Sequence, residues 1–251
     1  LYFDGVDDRV KLEHDGFASL DDLTLEFWTR VQHPEGTADN FVSGIGPGGG
    51  DMDALRISVE DSEDYLADGN QLRVLLGVGA PNLYWSVPAE DNAWHHITVI
   101  REAGVAKAYF DGIKLPGEYA ALGDVSLAPN GLWLGTEQDA EGDIWTSEQH
   151  LKGQMDDFRI WNYARSQSEI QEDMNRLLDG NEAGLVAYWP FEEGHTTLSL
   201  DKVNGWSAQM SASDASAFLN NTAPFWVSRP RLFPGTGNFY SCVATYNDLG
   251  D

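Results

Sequence analysis

The chain has 251 residues, 41 Asp plus Glu against 15 Lys plus Arg, and a formal net charge of −26. Such a surplus repels polyphosphate, which excludes a nucleic-acid partner, and no run approaches the roughly 18 apolar residues of a membrane helix, so no membrane insertion is expected. Hydrophobic residues at 42% and aromatics at 12% can still fill a core, and all-β sandwiches of this length stay undivided.

Short apolar runs broken by Gly, Pro, Asn and Asp predict strands at Arg9 to Leu12, Leu23 to Val31, Leu55 to Val59, Leu72 to Val78, Leu83 to Val87 and His95 to Arg101. They continue at Ala106 to Asp111, Gly131 to Gly135, Met155 to Asn162 and Leu185 to Pro190. These runs fit two antiparallel sheets. Asp111-Gly112 lies between two such runs and marks a tight hairpin, whose central positions need positive φ. One helix is legible: Ser166 as N-cap and Glu169 three residues on form a capping box, Ile170, Met174 and Leu177 share an apolar face, and Gly180 can close it. From Asp201 the pattern weakens, so residues 1–200 read as the domain and 201–251 as an extension wrapping it or leading to a linker.

Cys242 stands alone, which excludes an intrachain disulfide and a cysteine-rich zinc site. Leu1 in place of an initiator Met reads as the start of an excised piece, one module of a larger multidomain protein. The acidic surplus fits an extracellular or cell-surface setting where divalent cations or salt relieve self-repulsion, although acidity also serves plain solubility.

Glu137, Asp139, Glu141 and Asp143 crowd four carboxylates, with the Gln138 amide, into seven positions after a strand ending at Gly135. Calcium takes about six to eight hard oxygens, so this loop is a candidate Ca2+ site that Glu148 and Gln149 could close from the return limb. The competing reading is a solvated acidic loop. Asp51 and Asp53, after a glycine run, are candidates for its other side, or simply a flexible acidic turn. Alternation puts Asp156 on the face of Phe158 and Ile160, where a carboxylate needs a metal, backbone amides or Arg159. Trp145 within the acidic loop and Tyr84 on a strand are candidate platforms for a sugar ring, with Asp143 and Glu148 beside them. Trp28, Trp94 and Trp161 read as core. His95 and His96, adjacent on one strand, read as structural.

Trp94-His95-His96-Ile97-Thr98-Val99, Tyr109-Phe110-Asp111-Gly112, Leu134-Gly135 and the run Gly153 to Asn162 together resemble the laminin-G-like and pentraxin-like domains of the concanavalin A superfamily. Phe3 to Val10 and Gly184 to Phe191 resemble flanking segments of the same family, so the resemblance covers roughly residues 1–195. It implies an all-β fold, a two-sheet antiparallel β-sandwich (concanavalin A-like jelly roll) with one short helix. It further implies that Glu137-Gln138-Asp139 matches the pentraxin calcium loop: Glu137 and Asp139 offer side-chain oxygens, Gln138 its carbonyl, and Gln149 serves a second, outer ion. Thr146 stands where that loop places a bridging Glu. Resemblance to laminarinase-type glucanases implies a structural calcium at Asp156 with carbonyls near Asp4 and Gly5.

The leading expectation is a calcium-dependent, lectin-like module for cell-surface adhesion, of the kind found in large bacterial adhesins, that binds a cell-surface glycan or a phosphorylated or peptidic ligand. A structural or protein-interaction domain stiffened by calcium is the alternative. Glycoside hydrolysis ranks last: the Glu-x-Asp-x-x-Glu strand of the family's glucanases has no counterpart here, so the chain is not expected to be an enzyme.

Overall fold

The computed structural model describes residues 1–14, 17–32, 38–46, 53–61, 70–88, 92–121, 125–129, 131–140, 144–145, 150–192, 197–211, 231–232 and 239–240. Two eight-stranded antiparallel sheets face each other. In the first, the order is Tyr2–Asp4, Lys152–Trp161, Leu23–Val31, His95–Glu102, Val105–Phe110 and Ile113–Lys114. Tyr119–Ala120 also pairs with Val105–Phe110, and Leu185–Trp189 with Lys152–Trp161. The second runs Leu198–Leu200, Ser207–Ser211, Arg9–Leu12, Leu132–Leu134, Ala38–Ile45, Asp53–Asp61, Asn70–Leu76 and Leu83–Ser86. This is the expected all-β sandwich with one short helix.

Alternation builds the core between the sheets. Leu25, Phe27, Ile97, Val99, Met155 and Phe158 from the first sheet meet Val10, Leu134, Val42, Ile57, Val74 and Trp85 from the second. The Asp111-Gly112 hairpin forms as its sequence demands, with φ of 51° and 71° at its two central residues.

Four expectations change. Ala38–Ile45, an eight-residue strand, was not among the predicted runs. Its Asp39 and Asn40 are strand-poor residues, tolerated because Asp39 Oδ1 accepts the Lys152 amide at 2.7 Å and Asn40 Oδ1 accepts from Arg56 Nε at 3.0 Å. The boundary at residue 200 falls inside a hairpin, since Leu198–Leu200 pairs with Ser207–Ser211, which in turn pairs with Arg9–Leu12. The sandwich therefore extends through Ser211. The helix keeps its capping box at Ser166 and Glu169 but spans only Gln167–Asp173, so Met174 is its C-cap, Leu177 is 43% exposed, and Gly180 lies well beyond its end. Trp94 is half-buried, whereas Trp28 and Trp161 are buried on the outer face of the first sheet rather than in the inter-sheet core.

The helix covers that outer face. Trp28 Nε1 donates to the Met174 carbonyl at 2.6 Å, and Arg159 donates to the Asp173 and Arg176 carbonyls at 3.0 and 2.6 Å. Ile170 packs against Ile100 and Tyr109. Beneath lies a buried charged network in which Arg165 bonds Glu26 at 2.7 Å and also pairs with Asp173.

Candidate functional site

The stalk of the acidic loop is fixed to the second sheet. Gly135 has φ +79°, and a Cβ there would come within 2.2 Å of the Phe3 ring, so only glycine fits. Its N–H donates to the Phe41 carbonyl at 3.0 Å, and its own carbonyl accepts from the Leu151 amide at 2.9 Å. Thr136 is fully buried and Glu137 is 6% exposed. Beyond them the chain makes a two-stranded ribbon in which Gln138 pairs with Trp145 and Ala140 with Ile144, with an irregularity between Gln138 and Ala140. This ribbon brings Glu137, Gln138, Asp139 and Trp145 to one excursion of the backbone. Asp51, Asp143, Glu148 and Gln149 lie outside the described residues.

Glu137 is not a surface acid. Its carboxylate pairs with Arg56 inside the fold, and Arg56 in turn reaches Asn40. The sequence analysis did not single out Arg56, although a basic residue inside the apolar run Leu55 to Val59 is conspicuous in a chain with only 15 Lys and Arg. A buried arginine needs such a partner, because an unpaired buried charge costs several kcal/mol, roughly.

Cross-strand neighbours share a face, so the register defines what surrounds this pair. One row runs Asn40, Ser58, Arg73, Tyr84 across four strands, and the next runs Trp133, Ser43, Arg56. Arg73 pairs with Glu60 and lies within electrostatic range of Glu137 and Tyr84. Ser43 and Ser58 are buried with hydroxyls that have no hydrogen-bond partner among the described residues. Tyr84 is half-buried on this outer face, while its neighbour Trp85 points into the core and stacks edge-on against Tyr119 at 4.8 Å. Tyr84 and Glu137 therefore flank one polar face of the second sheet, a relation that spacing along the chain did not reveal.

Two expected partners are not brought together. Asp53 sits opposite Ile45, whereas Gly135 bonds Phe41, four residues back along the same strand and so about 13 Å away at roughly 3.3 Å per residue. Asp156 is 1% exposed but does not share the face of Phe158 and Ile160. Asp157 has φ +54°, and the register shifts between Asp156 and Arg159, so this bulge reverses the alternation. Asp156 lies opposite Trp28, towards the helix side. Asp4 pairs with Lys152, four positions from Asp156 and about 13 Å along the strand, so carbonyls at Asp4 and Gly5 do not complete an ion site with it.

The paired histidines behave as structural groups: His95 Nδ1 meets Asp111 Oδ2 at 2.8 Å, and the His96 ring packs on Trp28 at 5.3 Å. Among the described residues no helix is long and apolar enough to cross a membrane.

Comparison with known proteins follows the same architecture. Sushi, von Willebrand factor type A, EGF and pentraxin domain-containing protein 1 of Rattus norvegicus is 24% identical over 151 residues, covering 59% of this chain and 4% of that protein. C-reactive protein 1.4 of Limulus polyphemus is 27% identical over 159 residues, 61% of each chain. The chain thus spans less than two thirds of the curated relatives it matches. Among solved structures, a Bacteroides ovatus protein described as carbohydrate-binding superposes with a TM-score of 0.59 at 16% identity, covering 84% of this chain and 61% of that one. A heptameric SAP-like pentraxin from Limulus polyphemus gives 0.50 at 16% identity, covering 67% and 82%. At such identity these superpositions speak for the fold alone. The model of the concanavalin A-like lectin/glucanases superfamily matches residues 4–171, two thirds of a chain whose sheets, hairpin and stalk are now in view, and to that superfamily, with its lectin-like fold, this chain belongs.

Proposed function

We propose that this chain is a calcium-dependent carbohydrate-binding module acting outside the cell, with its glycan held at the ribbon Gln138–Ala140 and Ile144–Trp145 beside the polar face that carries Tyr84. The observation that carries this reading is the fixed stalk at the base of the acidic segment: Gly135 is bonded on both sides, and Glu137 is anchored by Arg56. A preorganised stalk lets binding free energy go to ligand contacts rather than to ordering a loop. The pentraxin relatives and the Bacteroides ovatus neighbour described as carbohydrate-binding favour the same reading.

The donor set suits calcium in kind, since Glu137, the Gln138 carbonyl and Asp139 supply only hard oxygens. Arg56 already compensates Glu137, so an ion there would share that carboxylate with a guanidinium, and Asp139 with the acids at 143 and 148 would carry more of the charge. Bound calcium would supply a local positive centre able to take two sugar hydroxyls on an otherwise acidic surface. Trp145 and Tyr84 would offer apolar faces to the ring.

The test is a glycan array probed with the full chain in calcium and again in chelator, beside the variant Glu137→Gln with Asp139→Asn. Amide replacements are chosen because Glu137→Gln removes the charge but keeps the side-chain volume and an oxygen that can accept from Arg56, both of which Glu137→Ala would remove. Sugar signals lost in chelator and in the variant are expected; signals that persist in both would remove the ribbon from the site. The anchoring of Glu137 by Arg56 also favours a second reading, a structural module stiffened by calcium, for which calcium would raise the melting temperature while the array stays blank.

A further inference from the structure

Three aspartates crowd the turn between strands Tyr2–Asp4 and Arg9–Leu12. Asp4, Asp7 and Asp8 each bring one carboxylate oxygen to a common point, all within 4.8 Å of one another. The turn is tightly determined: Asp4 Oδ1 accepts the Val6 amide at 2.8 Å, Asp8 Oδ2 accepts the Asp4 amide at 2.9 Å, and Gly5 has φ +83° with Lys152 pressed against it.

The decisive atom is the other oxygen of Asp8. Asp8 is 0% exposed, and its Oδ1 has no hydrogen-bond partner among the described residues. A buried carboxylate oxygen without a donor is costly and is rare unless something external satisfies it. Burial pushes the Asp8 carboxyl up to about 8, an effect opposed by the Asp4 amide and reinforced by the charges of Asp4 and Asp7. On the adjoining strand, Asp4 pairs with Lys152, and two residues further towards the turn His150 is buried with an Nδ1 that also has no hydrogen-bond partner among the described residues. The basic groups around the turn are Arg9, which donates to the Asp7 carbonyl at 3.2 Å, Lys152 and His150.

The geometry points to a calcium-type divalent-cation site at this turn, with Asp8 Oδ1 and the carboxylates of Asp4 and Asp7 as its protein ligands. Coordination chemistry argues for calcium over magnesium. Several carboxylates converge on one point, and calcium takes many protein oxygens in flexible geometry, whereas magnesium holds most of its waters and is bound through one or two carboxylates. Oxygen donors and a coordination shell completed by water also suit calcium. The ion would tie the turn between the two sheets, because Tyr2–Asp4 belongs to the first and Arg9–Leu12 to the second. This site is separate from the ribbon at Glu137, and its failure would leave the carbohydrate reading untouched.

The full chain carrying Glu137→Gln and Asp139→Asn, stripped with chelator, isolates this turn from the ribbon. Added calcium at roughly 100-fold over its Kd should raise the melting temperature by about 5 to 10 °C, with magnesium at the same concentration giving less. Asp8→Asn in that background should abolish the rise, and Asp7→Asn, at a half-buried position, should weaken calcium binding at least tenfold. Because Asp8→Asn could unfold the chain, terbium luminescence gives a second measurement. Tyr2 stands two residues from Asp4 on the same strand, about 7 Å away, and should sensitise the bound lanthanide. Emission lost in Asp7→Asn supports the site. No calcium response in the ribbon-free chain, a response unchanged by Asp7→Asn and Asp8→Asn, or terbium emission indifferent to Asp7→Asn would each overturn it.

Discussion

Glu26 shows how far a single residue can depart from its sequence appearance. In Leu23 to Val31 it alternates as an outward-facing acid, yet it is fully buried, with Arg165 at 2.7 Å, Arg159 at 3.6 Å and His96 at 3.9 Å. Burial pushes its carboxyl up, and the charges of Arg165 and Arg159 oppose that rise. Arg165 also lies over the Trp161 ring at 4.0 Å and donates to the Glu169 carbonyl at 2.9 Å. Replacing Arg165 by Met keeps much of the stacking volume but leaves Glu26 and Asp173 short of a cation. Urea unfolding should show a loss of about 3 to 5 kcal/mol; a loss below about 1 kcal/mol would mean the network contributes little to stability. None of this was legible, because the burial of Glu26 arises from a helix some 140 residues away in the chain, and periodicity cannot see what covers a strand's second face. Arg159 was considered only as a partner for Asp156. Its contacts turn out to be Glu26, Asp157 and the carbonyls that end the helix.

Elements were readable where they were set by local chemistry. The capping box is local, and it formed: the Glu169 amide donates to Ser166 Oγ at 3.3 Å, and the Ser166 amide donates to Glu169 Oε2 at 2.7 Å. Ser166→Ala should cost about 1 kcal/mol at neutral pH. Ser166 hydrogen bonds hold the Glu169 carboxyl below the ordinary glutamate value of 4.5. A depressed folded pKa contributes stability above that value and loses it as pH falls through the folded pKa. The gap between wild type and variant in chemical denaturation should therefore narrow below about pH 4; a gap constant into acid would show that the hydroxyl alone does the capping. The helix stops earlier than its apolar spacing suggests because Asp173 is drawn to Arg165 and Arg176. Strand Ala38–Ile45 was illegible for the opposite reason, since Asp39 and Asn40 find their partners in strands far along the chain. The same division holds at the candidate site. Glu137 and Tyr84 were visible as residue types, while the pairing of Arg56 with Glu137, which joins that acid to the sheet, was visible only once the strands lay side by side.

At the scale of the whole molecule, 41 acids share a surface with 15 basic residues, several of which are turned inward to Glu26, Glu137 and Asp173. Pairing them internally spends bases on buried acids, so few basic groups remain to offset the acids of the exterior. Raising sodium chloride from about 10 to about 150 mM shortens the screening length from roughly 30 to roughly 8 Å and should raise the melting temperature monotonically. A flat series would mean that the acids are too dispersed to repel. Calcium titrations should accordingly be run at fixed ionic strength, so that ion-specific binding is read apart from screening. The two-layer architecture itself was plain in the alternating runs, but its true margin was not, because Ser207–Ser211 carries only Ala208 and Met210 towards the core.

The left-handed residue at Asp157 bears on how this sequence can diverge. By adding one position against the neighbouring strand, it keys Met155 and Phe158 to the inside and Arg159 to the helix side at the same time. Removing or adding a single codon between Asp156 and Arg159 would transpose every later side chain of that strand, carrying a guanidinium into the hydrocarbon interior. Length changes here are closed, and the segment serves as a fixed ruler for the sandwich.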